Sequence, residues 1–180
     1  AMKESFNKEV NLSIDRFVCI HTIMLSLEGV PAFYIHSLFG TKNDYELYEQ
    51  TNHNRSLNRG KIQISELDLS KPSEPESYIF HELRKLMLIR KKQPAFHPNA
   101  VQFTLHLGKK LYGIWRQSLD KRQSIFCISN LTDEEVKHSL LDLNLIGFDH
   151  WRDIITETEV DDITSEIRLK PYQTVWLTNL

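Results

Sequence analysis

Residues 29–59 read GVPAFYIHSLFGTKNDYELYEQTNHNRSLNR, and this stretch decides the fold predicted for the chain. It opens with an apolar run, residues 30–35, that lies between Gly29 and Gly40. Because the run is apolar throughout rather than alternating, it predicts a strand buried on both faces of a parallel sheet. The polar segment behind it leaves the C-terminal end of that strand, where α/β proteins carry ligand chemistry. From composition alone, a solvated surface loop is the favoured interpretation of that segment.

The apolar run is flanked by patterns of helical period. Residues 13–28 predict a helix that Ser13 caps and Gly29 ends, with Phe17, Ile20 and Met24 on its apolar face. A helix followed by a short turn and a buried strand is half of a right-handed βαβ unit, although the sequence shows no strand ahead of the helix.

Two more helices are predicted behind the apolar run. Residues 44–50 favour a short helix with Asn43 as its cap. Residues 76–92 favour a longer one, with a buried face that includes Ile79 and Leu83. Its last turn is basic, and Pro94 stops it.

From about residue 101 onward the apolar period changes from helical to two. Alternating stretches separated by turn residues, with no helical pattern between them, indicate an antiparallel β-sandwich. The predicted strands are residues 101–106, 111–115, 123–130, 136–140, 151–156, 166–169 and 174–177. We therefore predict two domains, residues 1–95 and residues 96–180.

Three pieces of the opening stretch carry a resemblance to a known family. They are Gly29-Val30-Pro31, Lys42-Asn43-Asp44, and Thr51 followed by the run NRSLNR at residues 54–59. Together they resemble the α-amylase clan (glycoside hydrolase family 13), in particular its sucrose phosphorylase-like subfamily, which includes enzymes acting on glucosylglycerate or sucrose phosphate. In that subfamily the loop ends in a pattern like G-R-D/S-I-N-R, so that Asn54 replaces the glycine and Leu57 the isoleucine.

The resemblance implies an α+β chain. Residues 1–95 would be the terminal helix-strand-loop-helix segment of a (β/α)8 barrel, and residues 96–180 the all-β C-terminal sandwich. Retaining glycosyl transfer needs a carboxylate nucleophile and a carboxylic acid about 5 Å apart. The clan takes both from earlier barrel strands that this sequence does not contain, and no motif gives Asp44 or Glu46 such a role. We therefore expect no catalytic residue here and no activity from the chain alone.

One site assignment follows from the resemblance. Arg55 matches the loop arginine that reaches into the donor glucose pocket of sucrose phosphorylase-like enzymes. A guanidinium suits that position because its fixed fork holds hydroxyls or carboxylates and favours an anionic acceptor such as phosphate. The alternative is an ordinary surface or loop-bracing arginine. His53 is a second candidate for substrate contact. In the full-length enzyme the substrates would be an α-glucoside, or glucose, together with phosphate.

Composition excludes several other classes. The net charge is −2 with no basic run, which argues against nucleic acid and against an anionic membrane surface. Cys19 and Cys127 lie far apart in sequence, which favours buried thiols in a reducing, cytoplasmic setting. The histidines show no zinc-ligand spacing and no glycine-rich phosphate loop occurs, so neither a metal nor a cofactor is expected.

A barrel strand and helix without their neighbours need partners. The sequence therefore predicts a homo-oligomer that pairs through this region, or association with the missing barrel portion. The alternative function is a stand-alone carbohydrate-binding or oligomerisation module. Trp115, Trp151 and Trp176 could stack on sugar rings in such a module, but their apolar strand context favours core packing.

Overall fold

A computed structural model describes residues 10–63, 65, 68–71, 74–143, 145 and 150–180. The α-helices are α1 (Val10–Ser26), α2 (Ile35–Leu38), α3 (Tyr45–Thr51) and α4 (Pro75–Lys91). The strands are β1 (Val101–Leu105), β2 (Leu111–Gln117), β3 (Ser124–Asn130), β4 (Val136–Ser139), β5 (Arg152–Asp153), β6 (Thr158–Glu159), β7 (Glu166–Leu169) and β8 (Thr174–Thr178). Short 3-10 turns lie at Asn54–Asn58, Pro94–Phe96 and Leu140–Leu143.

The chain divides into two compact units. The first comprises Ala1–Pro31 with Leu86–Leu180, and the second comprises Ala32–Lys85. Helix α4 begins in the second unit and ends in the first. These units group residues by contact, whereas the predicted boundary after residue 95 separates a barrel segment from a sandwich. That boundary stays a prediction.

All strands of the described residues lie in the first unit and pair antiparallel, and the predicted β-sandwich is confirmed. A six-stranded sheet in the described residues has the order β1-β2-β3-β8-β5-β6, and β4 pairs with β7 in a two-stranded sheet. A turn in which Lys121 has a positive φ of 61° joins β2 to β3. Strand β3 is apolar at four successive positions and buried along its whole length, as expected for a central strand covered on both faces.

The core of this unit lies between the two sheets. Phe126 and Ile128 of β3 and Leu177 of β8 supply the inner face of the larger sheet, and Leu169 of β7 faces them. Trp151, which is 2% exposed, packs edge-on against Phe126 with ring centroids 5.4 Å apart. Burying an aromatic ring and several aliphatic side chains in this way contributes about 1.5–3 kcal/mol per side chain.

Helix α1 covers the opposite face of the six-stranded sheet. Its buried residues Cys19, Thr22, Leu25 and Ser26 recur at helical spacing along one side. The Cys19 thiol lies 3.7 Å from the carbonyl oxygen of Asn130 on β3. The first unit is thus layered as helix, six-stranded sheet and two-stranded sheet.

Two arginines bind carbonyls in the last turn of α1 and just after it. Arg90 donates from Nε to the carbonyl of Leu25 at 2.7 Å and from a terminal nitrogen to that of Gly29 at 3.1 Å. Arg116, which is fully buried, donates to the carbonyl of Ser26 at 2.9 Å. The C-terminal carbonyls of a helix have no partner within the helix, so these guanidinium groups satisfy them and complement the helix dipole.

The predicted parallel strand at residues 30–35 is wrong for this chain. Residues 30–34 have no regular structure, and Ile35 begins the short helix α2. Val30 is 80% exposed and Ile35 is 49% exposed. The physical reason is that a strand is defined by its ladder partners, and no strand in the described residues pairs with this run.

The first helix differs from its prediction in its start and in its buried face. It begins at Val10, so that Ser13 lies inside it and is not its cap. Ile20, predicted to be buried, is 55% exposed. The sequence of α1 is apolar on several sides, so its periodicity does not decide which side packs. Gly29 does adopt the expected left-handed conformation, with φ of 87°.

The remaining helices and strands differ less. Helix α4 matches its prediction within one residue at each end, and Ile79 and Leu83 are buried as expected. The predicted strand at residues 151–156 is reduced to β5, and β6 was not predicted. Within the described residues, no helix combines the length and apolar character needed to cross a bilayer.

Candidate substrate-binding loop

The polar loop that carries the predicted site lies in the second unit and is built around α3. This helix is capped by Asp44, whose Oδ1 accepts from the backbone N–H of Leu47 at 2.8 Å, and not by Asn43 as predicted. It ends at Thr51, and the C-cap residue Asn52 takes the left-handed conformation that asparagine tolerates (φ of 49°). Asp44 therefore acts as a helix cap.

Arg55 lies on the 3-10 turn Asn54–Asn58 that follows. His53 precedes the turn, and its Nδ1 accepts from the backbone N–H of Arg55 at a long 3.4 Å. The backbone N–H of Ser56 donates to the carbonyl of His53 at 2.8 Å. The side chains of Arg55 and His53 are both exposed. The two predicted site residues are therefore neighbours at the tip of one turn.

Hydrogen bonds hold this turn without using the guanidinium of Arg55. The hydroxyls of Thr51 and Ser56 lie 2.6 Å apart, and the backbone N–H of Asp44 donates to the carbonyl of Leu57 at 2.8 Å. The phenol of Tyr34 donates to the carbonyl of Asn58 at 2.9 Å. These hydrogen bonds thus hold the backbone of the turn, and the side chain of Arg55 is exposed on it.

A polar cleft of about 470 Å³ lies in the same unit. Lys42, Asp44 and Lys61 line it, and the ion pair between Lys71 and Asp68, with N and O 3.1 Å apart, lies on its wall. Neither Arg55 nor His53 lines this cleft. The structure thus places part of the motif Lys42-Asn43-Asp44 at a concave surface and the predicted site residues at an exposed turn.

Sequence reasoning missed the residues that shape this region. Lys61 lies in a stretch without a motif, and Tyr34 lies at the end of an apolar run that indicated burial, yet it is 48% exposed. The only signal for Tyr34 is its phenolic hydroxyl, which can donate a hydrogen bond. No cluster of three or more metal-ligating side chains occurs among the residues that the structure describes.

The tryptophans of the sandwich do not form an open sugar-binding platform. Trp176 is fully buried, and its indole N–H donates to the hydroxyl of Ser26 at 2.9 Å. The indole N–H of Trp151 donates to the carbonyl of Leu145 at 3.1 Å. Trp115 is half-buried and stacks between two phenylalanines. The structure therefore supports core packing for all three.

A search with models of protein families finds no match to this chain. The chain is similar to glucosylglycerate phosphorylases from three bacteria. It is 33% identical to that of Escherichia coli (strain K12) over 165 aligned residues, and the alignment covers 90% of this chain and 28% of the relative. It is 34% identical to that of Allomeiothermus silvanus over 169 aligned residues, and this alignment covers 93% of this chain and 27% of the relative. Identity to that of Spirochaeta thermophila is 28% over 173 residues.

The chain is a homologue of the glucosylglycerate phosphorylases. The resemblance to the α-amylase clan and its sucrose phosphorylase-like subfamily is thereby confirmed. The chain spans under a third of the length of these relatives, at 27% to 30%.

Solved structures confirm the fold. AmyP in complex with maltose matches 96% of this chain and 35% of its own length, with a TM-score of 0.73 and 14% identity. The α-amylase of Geobacillus thermoleovorans in complex with acarbose matches with a TM-score of 0.69 and 16% identity. The trehalose-6-phosphate hydrolase of Bacillus licheniformis matches with a TM-score of 0.62. The fold of this chain is that of the C-terminal part of an α-amylase-type enzyme, including the β-sandwich.

Proposed function

We propose that the chain forms the C-terminal portion of an α-glucoside phosphorylase in carbohydrate metabolism. The observation that carries this proposal is the similarity over 90% of the chain to an enzyme that acts on glucosylglycerate. The substrates of the complete enzyme would be an α-glucoside such as glucosylglycerate, or glucose, together with phosphate. The catalytic carboxylates belong to barrel strands outside this sequence, so the chain alone is expected to be inactive.

Arg55 is the residue proposed to touch substrate. Its guanidinium is exposed on a turn whose backbone is held by other groups, so it can enter a sugar pocket without disturbing the loop. A planar fork of N–H donors suits the vicinal hydroxyls of a glucose ring and a nearby phosphate. His53 is proposed as a secondary contact from the adjacent position.

The partners and setting are part of the same proposal. The exposed apolar side chains of Val30 and Ile35 would be covered by the missing barrel portion or by a second copy of this chain. The thiols of Cys19 and Cys127 are buried and not joined in a disulfide, which fits a cytoplasmic location.

A chimera tests the proposal. In the Escherichia coli relative, the region that matches this chain is replaced by residues 10–180 of this chain, and release of glucose 1-phosphate from glucosylglycerate and phosphate is measured. We expect the chimera to catalyse phosphorolysis and the isolated chain to show none. A folded chimera that binds neither substrate, or turnover by the isolated chain, would contradict the proposal.

A further inference from the structure

The six-stranded sheet has two edges of different character. At one edge, β6 consists of two residues, Thr158–Glu159, and one of them is charged. At the other, β1 is the five-residue strand Val101–Leu105, which contains no charged residue, proline or glycine. Val101 is 45% exposed and Phe103 is 44% exposed. Proteins commonly protect edge strands with short length, charge or proline, and β1 has none of these protections.

We propose that β1 is a docking edge for β1 of a second copy of this chain. The two strands would run antiparallel about a two-fold axis at Phe103, so that the two sheets join into one. Val101 would then lie opposite Leu105 of the other copy, Gln102 opposite Thr104, and Phe103 opposite itself. Such a contact is isologous and closes at two copies. The inference does not depend on the proposed phosphorylase function.

The side chains of β1 match one another in this register. Alternate residues share a face of the sheet, so Val101 and Phe103 lie on the same face as Leu105, which packs against the core. The Phe103 ring stacks on Trp115 with centroids 4.8 Å apart, and Trp115 stacks on Phe126 at 5.7 Å. A second Phe103 across the axis would extend this row of rings, and aromatic cross-strand pairs stabilise antiparallel sheets.

The absence of charge also favours pairing of β1 with a second β1, and the length of the strand limits how strong that pairing is. Since the segment carries no charge, antiparallel self-pairing brings no like charges opposite each other. Pairing is limited at one end by Pro98, which has no N–H, and at the other by Gly108, whose φ is 86°. A five-residue edge buries less than the roughly 1,200 Å² of a standard stable interface, so the dimer should be concentration-dependent.

Sedimentation equilibrium of the 180-residue chain, from micromolar to millimolar concentration, tests the proposal. We expect a reversible monomer–dimer equilibrium. Phe103→Lys places two ammonium groups opposite each other and should weaken dimerisation at least about tenfold. Leu119→Lys introduces the same residue at a side chain that is 61% exposed and outside β1, and should leave the equilibrium unchanged. A chain that stays monomeric, or a dimer that Phe103→Lys leaves intact, would overturn the proposal.

A cysteine variant tests the register and does not depend on the folding of Phe103→Lys. Residues directly opposite in an antiparallel pair have Cβ atoms about 4.5–5.5 Å apart, close to the separation that a disulfide bridges. Phe103→Cys should therefore form an intermolecular disulfide under mild oxidation, at least about ten times faster than Leu119→Cys. Both native thiols are buried and do not compete. Equal cross-linking of the two variants would show that β1 does not pair with itself.

Discussion

Arg116 donates a hydrogen bond to the main-chain carbonyl of Ser26, at 2.9 Å, across 90 residues of sequence. The same guanidinium donates to the carbonyls of His97 and Ala100 at 3.0 and 3.3 Å. It also lies 5.8 Å from the ring centroid of Phe96. One buried cation thus ties the end of α1 to the entrance of β1, and burial lowers the pKa of Arg116 because the charged form is desolvated.

Replacing this arginine should destabilise the first unit. In Arg116→Met the carbonyls that it satisfies lose their donor, and each buried unpaired carbonyl costs about 1–3 kcal/mol. Burial of an uncharged side chain offsets part of that loss, so we expect a net decrease of about 3 kcal/mol in the free energy of unfolding, measured by urea denaturation. Arg122→Met, at a side chain that is 84% exposed, is the control and should change stability by less than about 0.5 kcal/mol. An Arg116→Met protein as stable as the wild type would show that desolvation of the guanidinium outweighs its hydrogen bonds.

The contact between Trp176 and Ser26 can be measured separately. Trp176→Phe and Ser26→Ala each remove the hydrogen bond of 2.9 Å between indole N–H and hydroxyl. We expect a double-mutant cycle to give a coupling energy of about 1 kcal/mol in chemical denaturation. The pair Trp151→Phe with Ser26→Ala serves as the comparison and should show additive effects, since the indole of Trp151 donates elsewhere. Additive effects in the Trp176–Ser26 cycle would mean that packing alone orients this tryptophan.

The stability of the chain should fall at alkaline pH through Cys127. Burial raises the pKa of the Cys127 thiol from 9.0 to about 12. Below pH 9 both the folded and the unfolded chain keep the proton, so this contribution is fully present there. Between pH 9 and about 12 only the unfolded chain releases it, and the free energy of unfolding declines by up to about 1.4 kcal/mol per pH unit.

Denaturation of variants across this pH range isolates the contribution of Cys127. Cys127→Ala should reduce the slope of stability against pH by about one proton relative to wild type. Burial also raises the pKa of Cys19, but hydrogen bonds with Thr174 and Ser129 oppose that rise, so Cys19→Ala should keep most of the slope. Identical slopes in wild type and Cys127→Ala would mean that the thiol titrates in the folded chain as it does in the unfolded one.

In the chimeric phosphorylase, Arg55→Ala should reduce kcat/KM by about 10²-fold, because loss of a charged contact to substrate costs about 2–3 kcal/mol. Since Arg55 is exposed and other groups hold its turn, the unfolding temperature of the Arg55→Ala chimera should equal that of the unsubstituted chimera. Arg122→Ala is the matched control for removal of an exposed arginine. Unchanged kinetics in Arg55→Ala would assign this residue to the surface, and a loss of folding would assign it to bracing of the loop.

The sandwich could be predicted from sequence because its signals are local. Alternation within β1 and β2, together with the turn residues on either side of β2, is enough to locate these strands and the start of β3. The run at residues 30–35 could not be predicted in this way. Its apolar pattern describes a strand with neighbours on both sides, and pairing depends on segments that the run itself does not encode.

In the candidate site, too, local sequence signals could be predicted and contacts with distant segments could not. The motif around Arg55 indicated a polar loop, and the structure places Arg55 and His53 together on one turn. The cap at Asp44 in place of Asn43 depends on one residue of register, which sequence patterns rarely resolve. The role of Arg116 was invisible, because an arginine in an alternating strand suggests solvent, and the carbonyls that bind it belong to segments distant in sequence.

The position of β8 has a consequence for biosynthesis. Strand β8, residues Thr174–Thr178, lies between β3 and β5 and pairs with both. Neither pairing can form until β8 has been synthesised, about 45 residues after the end of β3. While that segment is inside the ribosome, the seven-residue β3 emerges with one of its edges open. The nascent chain therefore exposes a strand that is buried along its whole length in the native fold until translation has passed Thr178, and a chaperone that shields β3 should raise the yield of native protein.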